Sequence, residues 1–247
     1  MIRLENITKS FDNRDVLLGI SAEFREATTN LIIGRSGSGK TVLLKCLIGM
    51  FEPDSGDIWY DEQRFSGLDT DQQRTFRQQM GVVFQGGALF DSMTVEENIR
   101  LPMDFFTGWS RQEKLDRVNF CLGKVHLPGS NDLTPAELSG GMKKRVAIAR
   151  AIALNPKYLF CDEPNSGLDP QTAIVIDNLI HEITLEFGIT TVINTHDMNS
   201  VMEIGDHVLF LSDGRKCWEG SREEILRSDN KVLNDFVFAS ELMKKIK

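Results

Sequence analysis

Residues 34–41, which read Gly-Arg-Ser-Gly-Ser-Gly-Lys-Thr, constrain the fold of this chain most strongly. They fit the pattern G-x-x-x-x-G-K-[ST], and they lie between an apolar run at 31–33 that predicts a strand and one at 42–44 that opens a helix. In such a loop glycines let backbone N–H groups point inward, and the start of the helix adds the positive end of its dipole. The sequence therefore predicts an α/β fold with a polyphosphate site at a strand-to-helix turn.

Two side chains of this loop are expected to have different roles. Lys40 should reach the β- and γ-phosphates of a nucleotide, and the Thr41 hydroxyl should hold Mg²⁺. A glycine-rich turn without a ligand is the alternative. We expect the following residues to line the phosphates: Gly34, Arg35, Ser36, Gly37, Ser38, Gly39, Lys40, Thr41 and Val42.

Composition limits the remaining possibilities. The chain has 247 residues, enough for one large α/β domain or two small ones, and a net charge of −8 that provides no general attraction for nucleic acid. Its four cysteines show no C-x-x-C spacing, so we expect reduced thiols rather than a metal site or disulfides. No signal sequence or bilayer-length apolar stretch is evident, so a membrane connection is expected to go through a partner.

The order of the elements predicts a sheet domain interrupted by helices. Strands are predicted at 2–7, 16–24, 29–33, 57–65 (a pair), 81–84, 158–161 and 189–194, with a hairpin at 207–219. Phe11 is expected in the turn after the first strand, where an aromatic ring can stack on a nucleotide base or close the edge of the core. Residues 86–155 are predominantly helical in pattern and are interpreted as an insertion into the sheet domain.

Helix-terminal signals accompany this pattern. Capping boxes are predicted at Ser110 with Glu113 and at Ser221 with Glu224. Asp169 is predicted to cap a long helix that stops at Gly188. An amphipathic helix is predicted near the C-terminus, built from Val232, Leu233, Phe236, Val237, Met243 and Ile246 and ending in Lys244, Lys245 and Lys247. That helix packs either on its own domain or on a partner.

Polar side chains follow three of the predicted strands. Gln85 follows strand 81–84, Asp162 and Glu163 follow 158–161, and His196 follows 189–194. Open α/β sheets place ligand contacts at the carboxyl ends of their strands, so these groups should meet at one edge. Asp162 is then placed to bind Mg²⁺, and Glu163 to polarise an attacking water. Taken singly, each could also be a strand-end or turn residue without a role.

Ser139, Gly140 and Gly141 precede a helix predicted at 143–154. A serine with two glycines at a helix start has the physical parts of a second phosphate-binding device. A capping serine alone would explain Ser139 but not two glycines, which weaken the start of a helix.

Together these motifs resemble the ATPase subunits of ABC transporters, and the resemblance covers nearly the whole chain. The matching segments are residues 34–41 (Walker A), Gln85 (Q-loop), 138–142 (signature), 158–163 (Walker B), 166–169 (D-loop) and His196 (switch histidine). Three positions depart from the family's commoner residues, namely Phe11, Met142 and Asn165, and none of them removes a reactive group.

The resemblance implies a P-loop NTPase (RecA-like) core of class α/β, with an N-terminal antiparallel β subdomain and an inserted α-helical subdomain. Residues 1–220 would form the ATPase domain, with the helical subdomain at about 86–155, and 221–247 a C-terminal helical extension. ATP and Mg²⁺ are the implied cofactors, with Glu163, His196, Lys40 and Gln85 as catalytic residues. The implied metal-binding residues are Thr41, Gln85 and Asp162.

The family also pairs two subunits head to tail. Ser139, Gly140 and Gly141 of one copy would then bind the γ-phosphate held by the loop of the other, and a monomer should be a poor ATPase. This agrees with the position of the second phosphate device far along the chain from the first.

A narrower resemblance comes from residues 85–98, which read Gln-Gly-Gly-Ala-Leu-Phe-Asp-Ser-Met-Thr-Val-Glu-Glu-Asn. This run is similar to the Mla-type ATPases, which drive phospholipid transport with an integral-membrane permease and an MCE-type lipid-binding subunit. It implies a location at the cytoplasmic face of the inner membrane through the permease. The alternatives are the ATPase of an importer or exporter for another small solute, or a soluble ABC ATPase acting on nucleic acid or ribosomes.

Overall fold

Two β-sheets and the helices packed on them form the described part of the chain, residues 1–12 and 14–238, in a computed structural model. The strands are β1 (Ile2–Phe11), β2 (Arg14–Phe24), β3 (Thr29–Ile33), β4 (Ser55–Tyr60), β5 (Gln63–Arg64), β6 (Met80–Val83), β7 (Tyr158–Asp162), β8 (Thr190–Thr195), β9 (His207–Ser212) and β10 (Arg215–Gly220). The α-helices are α1 (Lys40–Leu47), α2 (Thr70–Phe76), α3 (Val95–Phe106), α4 (Arg111–Lys124), α5 (Gly140–Ala151), α6 (Pro170–Phe187), α7 (Met198–Ile204), α8 (Arg222–Ile225) and α9 (Lys231–Val237).

The larger sheet positions the candidate site. Its six strands run in the order β10-β9-β3-β8-β7-β6, and all neighbours pair in parallel except β9 with β10. Every residue of β3, β7 and β8 is buried, as expected for parallel strands covered on both faces. The segments that follow β3, β6, β7 and β8 therefore leave the sheet at the same edge.

The smaller sheet is antiparallel, in the order β2-β1-β4-β5. Register shifts interrupt the pairing of β1 with β2, and Asn6 in β1 has a φ of 53°. These irregularities let the strand continue beyond the predicted end at residue 7, so Phe11 is the last residue of β1 and pairs with Arg14. The prediction that Phe11 lies in a turn is therefore wrong.

Between β6 and β7 the chain forms α3, α4 and α5, which pack on one another around a buried apolar core. Ser110 and Glu113 form the predicted capping box at α4, and an equivalent box at Thr94 and Glu97 starts α3. The caps predicted at Asp169 and Ser221 are confirmed, and α6 ends at Gly188 with a left-handed φ of 62°.

The described part of the C-terminal segment packs on its own domain, because Leu233 and Val237 of α9 join the core. Met243, Ile246 and the terminal lysines of the predicted helix lie outside the described residues. Within residues 1–12 and 14–238, none of the helices combines the length and apolar character that crossing a bilayer requires.

Candidate functional site

The loop after β3 has the backbone shape that its glycines predict. Gly34 has a φ of 152°, and a Cβ there would lie 2.3 Å from the Leu211 carbonyl oxygen. Gly39 caps α1 with a left-handed φ of 102°. Only glycine satisfies both positions, since a side chain would meet backbone at the first and strain the second. Arg35 and Ser36 are exposed at the tip of this loop.

The loop surrounds a buried lysine. Lys40 Nζ donates to the carbonyl oxygens of Gly34 at 2.8 Å and Arg35 at 3.1 Å. Burial lowers the pKa of Lys40, and the negative charges of Glu163 and Asp162 oppose that shift. The ammonium thus lies within the curl of the loop, with two carboxylates close enough to influence it.

The hydroxyl of Thr41 meets the carboxylate at the end of β7. Thr41 Oγ1 donates to Asp162 Oδ1 at 3.1 Å, and Asn194 Nδ2 donates to the same oxygen at 3.1 Å. Asp162 is buried, so its two partners fix its direction. Asn194 lies in β8 beside Asp162 and was not identified from the sequence, where it appears only as one polar residue within a strand.

Glu163 joins the other two strand-end residues. Gln85 Nε2 donates to Glu163 Oε2 at 3.1 Å, and His196 Nδ1 lies 3.0 Å from Glu163 Oε1. The backbone of Glu163 is left-handed, with a φ of 45°, and its N–H donates to the carbonyl oxygen of Asn194 at 3.0 Å. The sheet edge thus brings together Gln85, Asp162, Glu163 and His196 next to the loop, as the strand order predicts.

Lys144 is a further residue of this region that sequence reasoning missed. It lies in α5, is buried, and donates through Nζ to the carbonyl oxygen of Gln85. Burial lowers its pKa, and the charge of Glu163 opposes the shift. Lys144 lies three residues after the buried Gly141 and four before the buried Ile148, so all three share the face of α5 that is turned to the core. This helical spacing could have indicated from the sequence that Lys144 is buried.

Ser139 and the two glycines lie elsewhere. Ser139 is the N-cap of α5, accepting from the Met142 N–H at 3.2 Å, and both glycines belong to the first turn of that helix. A Cβ on Gly141 would lie 2.6 Å from Thr172 Cγ2, so a side chain there would force Thr172 of α6 to move. Among the described residues no hydrogen bond or ion pair links residues 139–141 to residues 34–42.

Phe11 and Val42 are two further residues that the sequence predicts to contact the nucleotide. The Phe11 ring is 37% exposed and packs edge-on against Phe51 at 5.2 Å. Val42 is half-buried in the first turn of α1 and packs against a buried apolar cluster that includes Leu43, Leu44 and Leu47. Stacking of Phe11 on a base remains a prediction.

These features define a P-loop nucleotide hydrolase. A phosphate loop follows β3 of a parallel sheet, and two adjacent carboxylates lie at the end of β7, which is separated from β3 by one strand, β8. The sequence profile described as ABC transporter matches residues 17–166, more than half of the chain. The chain belongs to the ABC transporter family, and within it is an ATP-hydrolysing subunit.

Individual relatives agree with this assignment. The chain is 36% identical over 237 residues to the methionine import ATP-binding protein MetN of Clostridioides difficile, covering 96% of this chain and 74% of that protein. It is 32% identical over 256 residues to the protein TRIGALACTOSYLDIACYLGLYCEROL 3, chloroplastic, of Arabidopsis thaliana, covering 97% and 74%. The dimeric post-hydrolysis structure of the ATP-binding cassette MJ0796, bound to ADP and Pi, superimposes with a TM-score of 0.82 at 32% identity, covering 90% of this chain and 99% of that one.

The family resemblance and the fold class are thereby confirmed. The narrower resemblance to the Mla-type group is not confirmed, because strongly matching relatives from several bacterial species are methionine import proteins. The domain boundaries and the individual site roles remain predictions.

Proposed function

We propose that this chain is the ATPase subunit of a membrane importer for a small solute, working as a pair of copies on an integral-membrane permease. An apolar groove beside the catalytic edge carries the proposal, because it gives the permease a place to act. The methionine import relatives support the importer direction and an amino-acid-like cargo. Through the permease the pair would lie at the cytoplasmic face of the inner membrane.

The residues of the loop fit ATP. The Ser38 hydroxyl is buried without a protein hydrogen-bond partner, and a Cβ on Gly34 would lie 2.7 Å from it. Buried polar groups are normally paired, so an unpaired hydroxyl in a phosphate loop suits a ligand oxygen. We propose that residues 34–42 hold the phosphates, that Lys40 neutralises their charge, and that Phe11 contacts the base.

The donor set at Thr41 and Asp162 fits Mg²⁺, which prefers oxygen ligands and keeps several waters. We propose that these two residues hold the ion, with Gln85 as a further ligand. When bound, Mg²⁺ would neutralise developing charge on the phosphates. The Asn194 amide keeps the Asp162 carboxylate directed at Thr41 through its hydrogen bond to Oδ1.

Glu163 is proposed as the general base. Each of its carboxylate oxygens faces one polar partner, Gln85 on one side and His196 on the other. A base held on both sides can keep a water in line with the γ-phosphate, and we propose that His196 contacts that phosphate. In this arrangement Glu163 takes the proton from water, and Gln85 and His196 orient the Glu163 carboxylate.

A second copy would complete the site. Residues 139–141 make no polar link to the loop of their own chain, and MJ0796 forms a dimer in its ADP-bound structure. We propose that Ser139, Gly140 and Gly141 of one copy face the γ-phosphate bound by the other, where the capped start of α5 offers N–H groups to an anion.

The groove has a volume of about 420 Å³ and lies between β6 and α3. Its lining includes Phe84, Phe90, Leu101, Phe105, Phe106 and Leu154. Phe90 is 49% exposed and Phe105 69%, and the Phe105 ring lies 6.5 Å from that of Phe106, so the groove exposes several large apolar side chains, as binding surfaces do. An amphipathic helix of the permease would bury these rings.

Two side chains of α5 connect the groove to the catalytic edge. Arg150 of α5 lines it and donates to the carbonyl oxygens of Gly87 and Ala88 at 2.7 Å each. Lys144 links the same helix to Gln85. A force on the groove would therefore reach Gln85 and the Ser139 end of α5 together, which is what coupling of transport to hydrolysis requires.

Permease binding can be tested at the groove. Phe105→Ser should reduce co-purification of the permease from membranes at least about tenfold, because it removes an exposed ring from the centre of an apolar contact. Phe120→Ser is the matched control, since Phe120 is 41% exposed but lies in α4 outside the groove. Equal permease recovery from both variants would contradict the proposed docking site.

Phospholipid is the second candidate cargo, and residues 85–98 favour it. A relative named after a galactosylated diacylglycerol adds support for a lipid. In that case an MCE-type lipid-binding subunit should co-purify with the permease, and ATP should drive phospholipid exchange between vesicles.

The importer proposal predicts instead that a solute-binding protein co-purifies. In vesicles that contain the complex, ATP should then drive uptake of methionine or a related amino acid. Phospholipid exchange without amino-acid uptake would reject the importer proposal and leave the ATPase assignment intact. ATPase stimulation by nucleic acid in the absence of the permease would reject both cargo proposals.

A further inference from the structure

Three buried polar side chains form a cluster behind the catalytic edge. Asn165, Asp177 and Ser200 are 9%, 3% and 1% exposed. Asn165 Nδ2 lies 3.0 Å from Asp177 Oδ2 and 2.9 Å from Ser200 Oγ, and Ser200 Oγ donates to Asp177 Oδ2 at 2.7 Å. They come from three separate elements: the segment after β7, the middle of α6, and α7.

Stability alone does not account for this cluster. Asp177 lies on the stripe of α6 that carries Ala173, Ile176 and Ile180, where an apolar residue would pack without cost. Burial raises its pKa to about 6, although Ser200 and Asn165 both oppose the shift. A carboxylate kept in such a place costs folding free energy, which its hydrogen bonds offset only in part. The role of Asp177 therefore depends on the segments that its hydrogen bonds connect.

The cluster connects the two sides of Glu163. Asn165 lies two residues after Glu163 and begins the segment that leads to Asp169 at the start of α6. Ser200 lies four residues after His196, in the first turn of the helix that Asp197 caps. A cleft of about 420 Å³ separates these two segments, and Asp177 lies among its lining residues together with Asn165 and His196.

We propose that Asp177 is a positioning residue for ATP hydrolysis. By accepting hydrogen bonds from Asn165 and Ser200 at once, it fixes the segment that follows Glu163 relative to the helix that follows His196. The distance between the Glu163 carboxylate and the His196 ring then depends on a side chain that touches neither. This inference rests on the roles proposed above for Glu163 and His196.

The donor pattern explains why a carboxylate is needed. Asn165 and Ser200 both present N–H or O–H donors to Asp177, and an ionised carboxylate accepts from both without presenting a donor of its own. In Asp177→Asn the amide nitrogen would face one of those donors, although the side chain keeps its size. That variant should separate the two segments without leaving a cavity.

The test compares Ser200→Ala and Asp177→Asn with Thr184→Val. Thr184 is the matched control because it is a buried residue of the same helix whose hydroxyl donates to the Ile180 carbonyl oxygen at 2.8 Å and lies 2.6 Å from Thr191 Oγ1. It lies seven residues beyond Asp177, which is about 10 Å along the helix. All three variants lose buried hydrogen bonds, so comparable losses of thermal stability are expected.

Only the two cluster variants should affect turnover. We expect kcat to fall about tenfold in Ser200→Ala and Asp177→Asn, with the KM for ATP changed less than about twofold, because the base is misplaced while nucleotide binding is retained. Thr184→Val should keep kcat within about twofold. In NMR spectra the ring signals of His196 should shift in Ser200→Ala, and those of His126 should not.

Two outcomes would overturn the inference. One is a kcat in Ser200→Ala equal to that of Thr184→Val, which would leave the cluster with a structural role only. The other is an unchanged His196 signal together with a reduced kcat. If Asp177→Asn does not fold, Ser200→Ala alone decides. A fully active Glu163→Gln enzyme would instead reject the proposed base, which distinguishes that failure from this one.

Discussion

Glu163→Gln should lower the ATPase rate by about two to four orders of magnitude, the usual contribution of a general base, while ATP binding is retained. The carboxamide has the same size and can still accept a hydrogen bond from Gln85 or His196, so the sheet edge should keep its shape. It cannot take a proton from water at neutral pH. Because hydrolysis would be blocked after binding, the variant should also accumulate as an ATP-bound dimer.

Single-turnover hydrolysis and size-exclusion chromatography with and without ATP measure both effects. Glu182→Gln is the control, since it makes the same chemical change at an exposed position of α6. It should hydrolyse ATP at the parental rate. A Glu163→Gln protein as fast as the control would assign the base elsewhere.

Mixing two inactive variants should restore activity if each ATP site is built from two copies. Lys40→Ala removes the charge that we propose binds phosphate, and Ser139→Glu places a negative charge where the γ-phosphate of the other copy is expected. Each variant alone should retain less than about 1% of the parental rate. In a mixed dimer one site carries both defects and the other carries none. Because random pairing makes about half of the dimers mixed, the mixture should reach roughly a quarter of the parental rate.

The control mixture combines Lys40→Ala with Glu163→Gln. Both residues belong to the same half of the site, since the charge of Glu163 already influences Lys40 within one chain. Every site in those mixed dimers is therefore defective, and activity should not recover. No recovery with Ser139→Glu would place Ser139 in the site of its own chain. Recovery in the control mixture would contradict the placement of Lys40 and Glu163 in the same half of the site.

Much of the fold was predictable because its signals are local. Strands β3 and β7 are runs of mostly apolar residues without polar alternation, which is the pattern of parallel strands covered on both faces. The phosphate loop follows β3. Caps such as Ser110 and Asp169 depend on a few consecutive residues and were placed correctly. The meeting of Gln85 with Glu163 followed from strand direction alone.

Features that depend on tertiary packing were not predicted. The end of β1 was placed too early because bulges, rather than residue type, carry the strand on to Phe11. Asp177 and Lys144 look like ordinary solvated helix charges until the buried stripes of α6 and α5 are known. The polar partners that allow them to be buried lie 12 to 59 residues away in sequence, where no local pattern connects them.

The backbone of Glu163 has a consequence for the evolution and engineering of this protein. A left-handed conformation disfavours a residue with a long side chain by about 1 kcal/mol or more, and glycine or asparagine would adopt it more readily. A screen for heat resistance alone would thus favour replacing Glu163 and would recover more stable proteins that lack the proposed base. Catalytic activity and thermal stability therefore place opposite demands on residue 163. Engineering for stability should keep Glu163 and introduce stabilising substitutions at other positions.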